Sequence, residues 1–376
     1  MSTLAIQSRT LENTVTPRDS VQTMHLEQVR DRLLQRRDLQ EPEDIHRSAD
    51  QIHVDFTEPG RAKLHFINQG GLDEPMLLTE TGLKQLGAHV LPNRGVSFLE
   101  DLAGLGEHGR KLATANWAMF SRELSDPRMV RTVKVRDPQT GEITRAVRSV
   151  MSQGYGTYDN VTLVDDLLNS VETRHLPVLA YQETDRGIRL RMALDGTEEM
   201  KLNEPVRMLE AWNSEVGLRS AGIQGGIFKL WCTNGCGTWD KDGGVFRFVH
   251  RGDSARISKG ISDGVSNIRV AASGVLDAYN AALDVAIDDA YLWLGQQLKG
   301  TLTRPQIQRA QTALNAPTSQ PNLGTLAGVV DALTLSAQDE SSMFAQSQME
   351  QAASQLLRKG LNRAGDSREL KAAVAF

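Results

Sequence analysis

Two cysteines are all that the 376 residues contain, Cys232 and Cys236. A pair four positions apart builds no disulfide framework and suits a reducing compartment. The chain lacks any run of about 18 apolar residues, the length that a membrane-spanning helix needs. Its first residues, MSTLAIQSRTLENTV, have no basic start leading into an apolar stretch and do not read as a signal peptide. Positive charge is not in excess: 42 Lys and Arg stand against 47 Asp and Glu, a formal net charge of −5. Overall attraction to a polyanion is thereby excluded, and any nucleic-acid affinity has to come from a local patch. No GxSxG, Walker A or HExxH pattern stands in a convincing context. Asp165-Asp166 and Asp288-Asp289 read as solvated helix faces rather than paired acids. These absences argue against an enzyme and point to a soluble cytoplasmic protein.

What is present is an ordinary globular balance, 40% hydrophobic and 24% charged residues. The length exceeds one usual core, so two or three subdomains are expected. Residues 1–20 are polar and aperiodic, a loose arm. In 21–38, Val21, Met24, Leu26, Val29, Leu33 and Leu34 recur near helical spacing, with Arg30, Arg32, Arg36 and Arg37 on the other sides. Alternating runs then bracket turn residues. QIHVDF and RAKLHFI flank Pro59-Gly60, RTVKVR and ITRAVRSVMS flank 137–141, and HLPVLAYQET and GIRLRMALDG meet at Asp185-Arg186. Two short helices are read after Thr79, and one in VTLVDDLLNSVET. From about 270 onward the pattern is helical.

Hairpins followed by helices argue an α+β fold, a central antiparallel hairpin-rich sheet with packed helices and then a C-terminal helical domain. The expected divisions are 1–50 for the arm and first helix, 51–270 for the core and 271–376 for the helical domain. Residues 272–298 read as one helix whose stripe of Val275, Leu276, Tyr279, Leu283, Ile287, Tyr291 and Leu294 needs wide cover. The two later helices can supply that cover within the chain; the alternative is that part of this stripe, or that of residues 21–34, packs on a second subunit, in a homo-oligomer.

The densest stretch is 229–252, KLWCTNGCGTWDKDGGVFRFVHRG, with two tryptophans, both cysteines and a basic end. Cys232, Cys236 and His250 would make three zinc ligands. The spacing is CxxxC rather than CxxC, and the fourth ligand would have to be an aspartate such as Asp240 or Asp253, so no metal is expected. Gly104, Gly106 and Gly109 match the spacing of a dinucleotide fingerprint. They follow VSFLEDLA, more helix than strand, so a glycine break between helices is expected and no cofactor. The remaining reading rests on charge. Arg219, Lys229, Lys241, Arg247, Arg251, Arg256, Lys259 and Arg269 face only Asp240, Asp242, Asp253 and Asp263, eight cations against four acids. Trp231, Trp239, Phe246 and Phe248 interleave with them. Phe246, Phe248 and His250 share one face of a strand, with Arg247 opposite. Single-strand binders combine a basic groove with aromatic platforms. A core of aromatics rimmed by arginines fits the same residues.

Three stretches together resemble a phage- and plasmid-associated family of unknown function. They are RAVRSVMSQGYGTYDNVTLVDDL, GIFKLWCTNGCG with FVHRGD following, and TLAGVVDALTLSAQDESS. In the second the order is His250-Arg251 where the family has Arg-His. The third has Asp331 where an asparagine is common. The resemblance implies a mobile-element protein working beside replication and recombination functions. It also implies similarity in plan to phage single-strand annealing proteins, and in function to single-strand binders that assist a phage RNA polymerase. With the basic stretch it leads to single-stranded DNA, or RNA, as the expected partner. Phosphate contacts are expected from Arg145, Arg148, Lys229, Arg247, Arg251, Arg256 and Lys259. Stacking is expected from Trp231, Tyr155 and Trp239, on a hairpin with an Asn234-Gly235 turn and His250 at its base. The rivals are a phage structural or interaction protein without nucleic-acid affinity, and a nucleic-acid-modifying enzyme.

Overall fold

The computed structural model describes residues 24–91, 94–195, 204–231, 234–239, 245–315, 322, 324–340 and 342–365, with the backbone alone for 230, 231, 234–239, 344 and 363–365. The fold is α+β, as expected, but its strands form two sheets. The first holds β1 (Glu43–Ser48), β2 (Ile52–Asp55), β3 (Lys63–Asn68), β4 (Gly71–Leu72), β5 (Met76–Leu78), β6 (Pro127–Arg136) and β7 (Ile143–Ser152). Their order is β1-β6-β7-β5-β3-β2, with β4 on β3. Only the β5–β7 pair in it is parallel. The β6–β7 hairpin turns at Asp137, whose carboxylate accepts from Arg61 at 2.7 and 2.6 Å and from the Gln139 N–H at 2.8 Å. Gly141 closes the turn at φ 76°.

Helices α2 (Glu80–Val90), α3 (Gly95–Gly104) and α4 (Glu107–Ser121) pack on this sheet around Phe56, Leu64, Leu78, Leu86, Leu99 and Trp117. The Gly104–Gly109 run is the corner between α3 and α4. Gly106 sits at φ 94°, and a Cβ on Gly109 would fall 2.0 Å from the Leu102 carbonyl oxygen. The glycines thus serve a close helix–helix turn, with no strand leading into it.

The second sheet holds β8 (Val178–Thr184), β9 (Gly187–Ala193), β10 (Pro205–Asn213), β11 (Ala221–Trp231), β12 (Asn234–Trp239) and β13 (Val245–Phe248). The order is β12-β11-β10-β9-β8, and β13 shares β11 with β12. One face packs on α1 (Leu26–Gln40), α5 (Asn160–Asn169) and the first half of α6 (Ser254–Leu283), through Leu26, Val29, Leu190, Leu209, Ile223, Ile261 and Ile268. The second half of α6 joins α7 (Ala290–Leu298), α8 (Arg304–Ala313), α9 (Leu326–Ala337) and α10 (Met343–Gly365) in a bundle around Val275, Tyr279, Leu294, Leu333 and Met349. Residue 270, the expected domain boundary, therefore lies inside one helix that serves two cores.

The helix read over 272–298 is two helices. α6 ends at Leu283, and Asp289 starts α7 by accepting the Leu292 N–H at 2.8 Å. The stripe breaks there. Val275, Tyr279 and Leu294 are buried within the chain, while Leu283 and Tyr291 are exposed.

Two systems of ion pairs lock these parts. Strand alternation sends Arg189, Arg191 and Glu210 to the face of sheet two that α10 covers, and α10 adds Glu350. All four are at most 3% exposed. Both arginines bond to both glutamates. The second system joins the sheets. Arg131 holds Asp44 at 2.7 Å and Asp159 at 2.8 Å, Arg148 holds Glu215 at 2.7 Å, and Arg36 holds Asp185 at 2.9 Å. A cavity of about 30 Å³ lies between them, lined by Arg36, Arg131, Arg148, Asp159, Glu183 and Glu215. That is room for about two waters.

Glu350→Ala leaves two buried guanidiniums with one acid between them. Breaking such a pair costs about 3–5 kcal/mol, so urea unfolding should show a clearly lowered midpoint. An unchanged midpoint would mean that the quartet does not hold α10.

Candidate nucleic-acid interface

The basic stretch folds as the corner between β13 and α6. β13 pairs with the start of β11, placing Phe248 opposite Ala221, Arg247 opposite Gly222 and Phe246 opposite Ile223. Period-two alternation turns both phenylalanines toward α6. Two helix glycines make room for them: a Cβ on Gly260 would lie 2.1 Å from the Phe248 ring, and one on Gly264 would lie 3.0 Å from Phe246. These aromatics are core. Arg247 points the other way and is exposed.

After β13 the chain passes His250-Arg251-Gly252 and enters α6, where the Asp253 carboxylate accepts the Ala255 N–H at 2.9 Å. His250 is buried and stacks on Tyr155, with ring centroids 5.0 Å apart and planes 5° from parallel. Its Nδ1 lies 3.3 Å from the Gly156 carbonyl oxygen. The Tyr155 hydroxyl donates to the Ser214 carbonyl at 3.0 Å. Gly156 permits this closeness, since a Cβ there would sit 2.2 Å from the Gly252 oxygen. Burial holds the His250 imidazole below its ordinary pKa, with the Arg131 charge adding to the effect.

The residues named from the sequence separate into groups. Arg247, Arg251, Arg256 and Lys259 are exposed, and no hydrogen bond or ion pair engages their side chains among the described residues. Arg256 and Lys259, three positions apart, share a face of α6's first turns. The helix N-terminus adds partial positive charge beside them. The acids near them along the chain are Asp253, used as the cap, and Asp263.

Arg145 lies in the other sheet, bonded to the Thr132 hydroxyl at 2.9 Å and 3.3 Å from Glu43. Arg148 and Lys229, expected on phosphates, are inside the protein. Arg148 is committed to Glu215 at 2.7 Å and the Asp185 carbonyl at 3.1 Å. Alternation along β11 puts Lys229 on the face with Ile227, under the bundle. There it donates to the Tyr279 hydroxyl at 2.6 Å and to Asp331 at 2.8 Å. Asn322 also donates to that carboxylate, at 3.0 Å.

One face of Tyr155 is taken by His250, so it is a packing residue. Trp231 and Asn234 are paired backbones at the meeting of β11 and β12, and Trp239 pairs with Gly226; their side chains lie outside the described atoms. Asn234-Gly235, expected as the turn, is therefore strand, and the connection falls on 232–233, outside the described residues along with Cys232. Among the described residues no three His, Cys, Asp or Glu come together as a metal site. Arg219 belongs to the basic stretch by charge and is not among the expected contacts; its position over the Trp212 ring, 4.5 Å from the centroid, has no local sequence signal. No described helix is long and apolar enough to cross a membrane. Comparison with family models, with curated proteins and with solved structures finds no match.

His250 gives a pH signature. Its folded-state pKa lies below the ordinary 6.5, so the unfolded chain takes the proton first as pH falls. Stability is then lost below about pH 6.5, until the folded form is protonated as well. His53 and His89 are depressed in the same way, so the comparison has to be with a variant. The stability margin of wild type over His250→Phe should shrink between pH 8 and pH 5 in thermal melts. A margin that grows toward pH 5 would contradict the burial.

Proposed function

We propose that this chain is a single-stranded DNA-binding protein of phage type, meeting the phosphate backbone at the β13–α6 corner. The observation that carries the reading is the set of four exposed cations, Arg247, Arg251, Arg256 and Lys259, whose side chains have no partner among the described residues, in a chain of net charge −5. A positive patch surrounded by net negative charge attracts a strand locally and leaves the rest of the surface repulsive. The resemblance of three stretches to a phage- and plasmid-associated family supports a role in replication, recombination or transcription of a mobile element, in the host cytoplasm. RNA is the second ligand of the same chemistry. One patch of four cations is modest, and repeating it along a strand in a homo-oligomer raises its effective concentration.

One observation favours a second reading, a protein–protein interaction role. Leu105, Leu112 and Met119 are exposed at 77, 40 and 60% along the α3–α4 corner. Leu112 and Met119 lie on α4 seven positions, about two turns, apart and so share one side of that helix, and Leu105 is exposed at the corner before it.

Fluorescence anisotropy with single-stranded and duplex oligonucleotides separates the readings. The first expects tighter binding to the single strand and a log–log salt slope near −3, about 0.7 for each of four contacts. Equal binding to both forms, or none, sinks it. Arg247→Ala with Arg251→Ala should flatten the slope by about 1.4. A folded double variant with an unchanged slope would place the contacts elsewhere.

A further inference from the structure

The α10-facing side of sheet two carries a row in register: Arg189 on β9, Trp212 on β10, Gly222 on β11 and Arg247 on β13. The Trp212 ring lies across Gly222, where a Cβ would fall 2.4 Å from its Cζ2 atom. Arg219, in the surface loop 214–220 between β10 and β11, lays its guanidinium over that ring. The next row is Arg191, Glu210 and Gln224, and Gln224 donates to Glu210 at 3.0 Å.

The charges on this face do not balance. Arg189 and Arg191 are matched by Glu210 and Glu350. Arg219 and Arg247 make no ion pair among the described residues; Glu210 and Glu350, whose charges reach Arg219, are already bonded to Arg189 and Arg191. Arg219 Nη1 is shut from solvent with no acceptor, and so is Trp212 Nε1. Native proteins rarely leave such donors unmade, because their desolvation is not repaid. Desolvation pulls the Arg219 pKa down to about 10; the Glu210 and Glu350 charges oppose this and those of Arg189 and Arg247 add to it.

We infer that Arg219, stacked on Trp212, and Arg247, next but one in the row, form a seat for a phosphate oxyanion. A planar guanidinium presents paired donors that match phosphate oxygens, and stacking on an indole fixes its plane. Two unmatched cations suit a phosphate. Arg219 is half-buried on a surface loop, so a small shift of that loop opens Nη1 to the ligand. The seat does not need the strand-binding reading, since Arg251, Arg256 and Lys259 take no part in it. The phosphate is either free or a link of a nucleic-acid strand.

The test is thermal melting of the full chain in inorganic phosphate against chloride at matched ionic strength, with a short oligodeoxynucleotide as a second arm. Phosphate should raise the melting temperature of wild type and of Lys259→Gln. Arg219→Gln should melt higher than wild type without phosphate, because a buried unmatched charge is gone. It should also bind phosphate at least about tenfold more weakly. Arg219→Lys keeps the charge without the planar fork; it should weaken phosphate less than Arg219→Gln, and it carries the test if the glutamine variant does not fold. Equal phosphate stabilisation of wild type and the Arg219 variants, or an Arg219→Gln protein less stable than wild type without phosphate, overturns the inference. Oligonucleotide binding with no phosphate effect on wild type overturns the seat and leaves strand binding intact. A phosphate effect lost in Arg219→Gln, without oligonucleotide binding, keeps the seat and assigns it a free phosphate.

Discussion

Guanidinium groups withdrawn from water are the constraint around which this protein is arranged. Once β9 pairs with β10, alternation commits Arg189 and Arg191 to a covered face. A buried arginine cannot shed its proton, so each needs an anion. Glu210, on the neighbouring strand, supplies one. The other is Glu350, which arrives on α10. The position of α10 over sheet two is thus set by charge as well as by the apolar contacts of the bundle. The junction between the sheets follows the same logic, with Arg131, Arg148 and Arg36 each answered by acids from other elements.

Internal pairing also shapes the surface. Every cation consumed inside is removed from the outer field, and so is its acid. Arg148 and Lys229 look like surface cations in the sequence and are not. At the β13–α6 corner Arg247, Arg251, Arg256 and Lys259 stay exposed, and nearby Arg219 makes no ion pair among the described residues. A net-acidic chain acquires a positive corner in this way.

Helix α6 connects these consequences. Its first half closes the core of sheet two, its second half enters the bundle, and its N-terminus borders the corner. Gly225 lets it lie close to β11, since a Cβ there would be 2.7 Å from the Ile268 carbonyl oxygen. Gly260 and Gly264 take the Phe248 and Phe246 rings. A change in this helix therefore reaches both cores and the corner.

Local patterns were enough for much of the fold. The hairpins around Pro59-Gly60, 137–141 and Asp185-Arg186, the α3–α4 glycine corner and most of the helices follow from periodicity and turn chemistry, which act over a few residues. So does the division of Phe246 and Phe248 from Arg247 onto opposite strand faces, while which face is core was decided by α6. β10 was hidden because Glu210, a carboxylate, occupies a buried position where an apolar residue would mark a strand. Residues 272–298 read as one helix because the break at 284–289 depends on how its two halves pack. Which cations are free was beyond the sequence altogether. Lys229 meets Asp331 across 102 positions, Arg148 meets Glu215 across 67, and Arg189 meets Glu350 across 161. Periodicity is local and carries no information about contacts at that separation. The sequence alone determined which residues can be charged and which way a strand points them. Only tertiary structure decided which charges are neutralised, because neutralisation in a low-dielectric interior requires two groups within about 3 Å, wherever they stand in the chain.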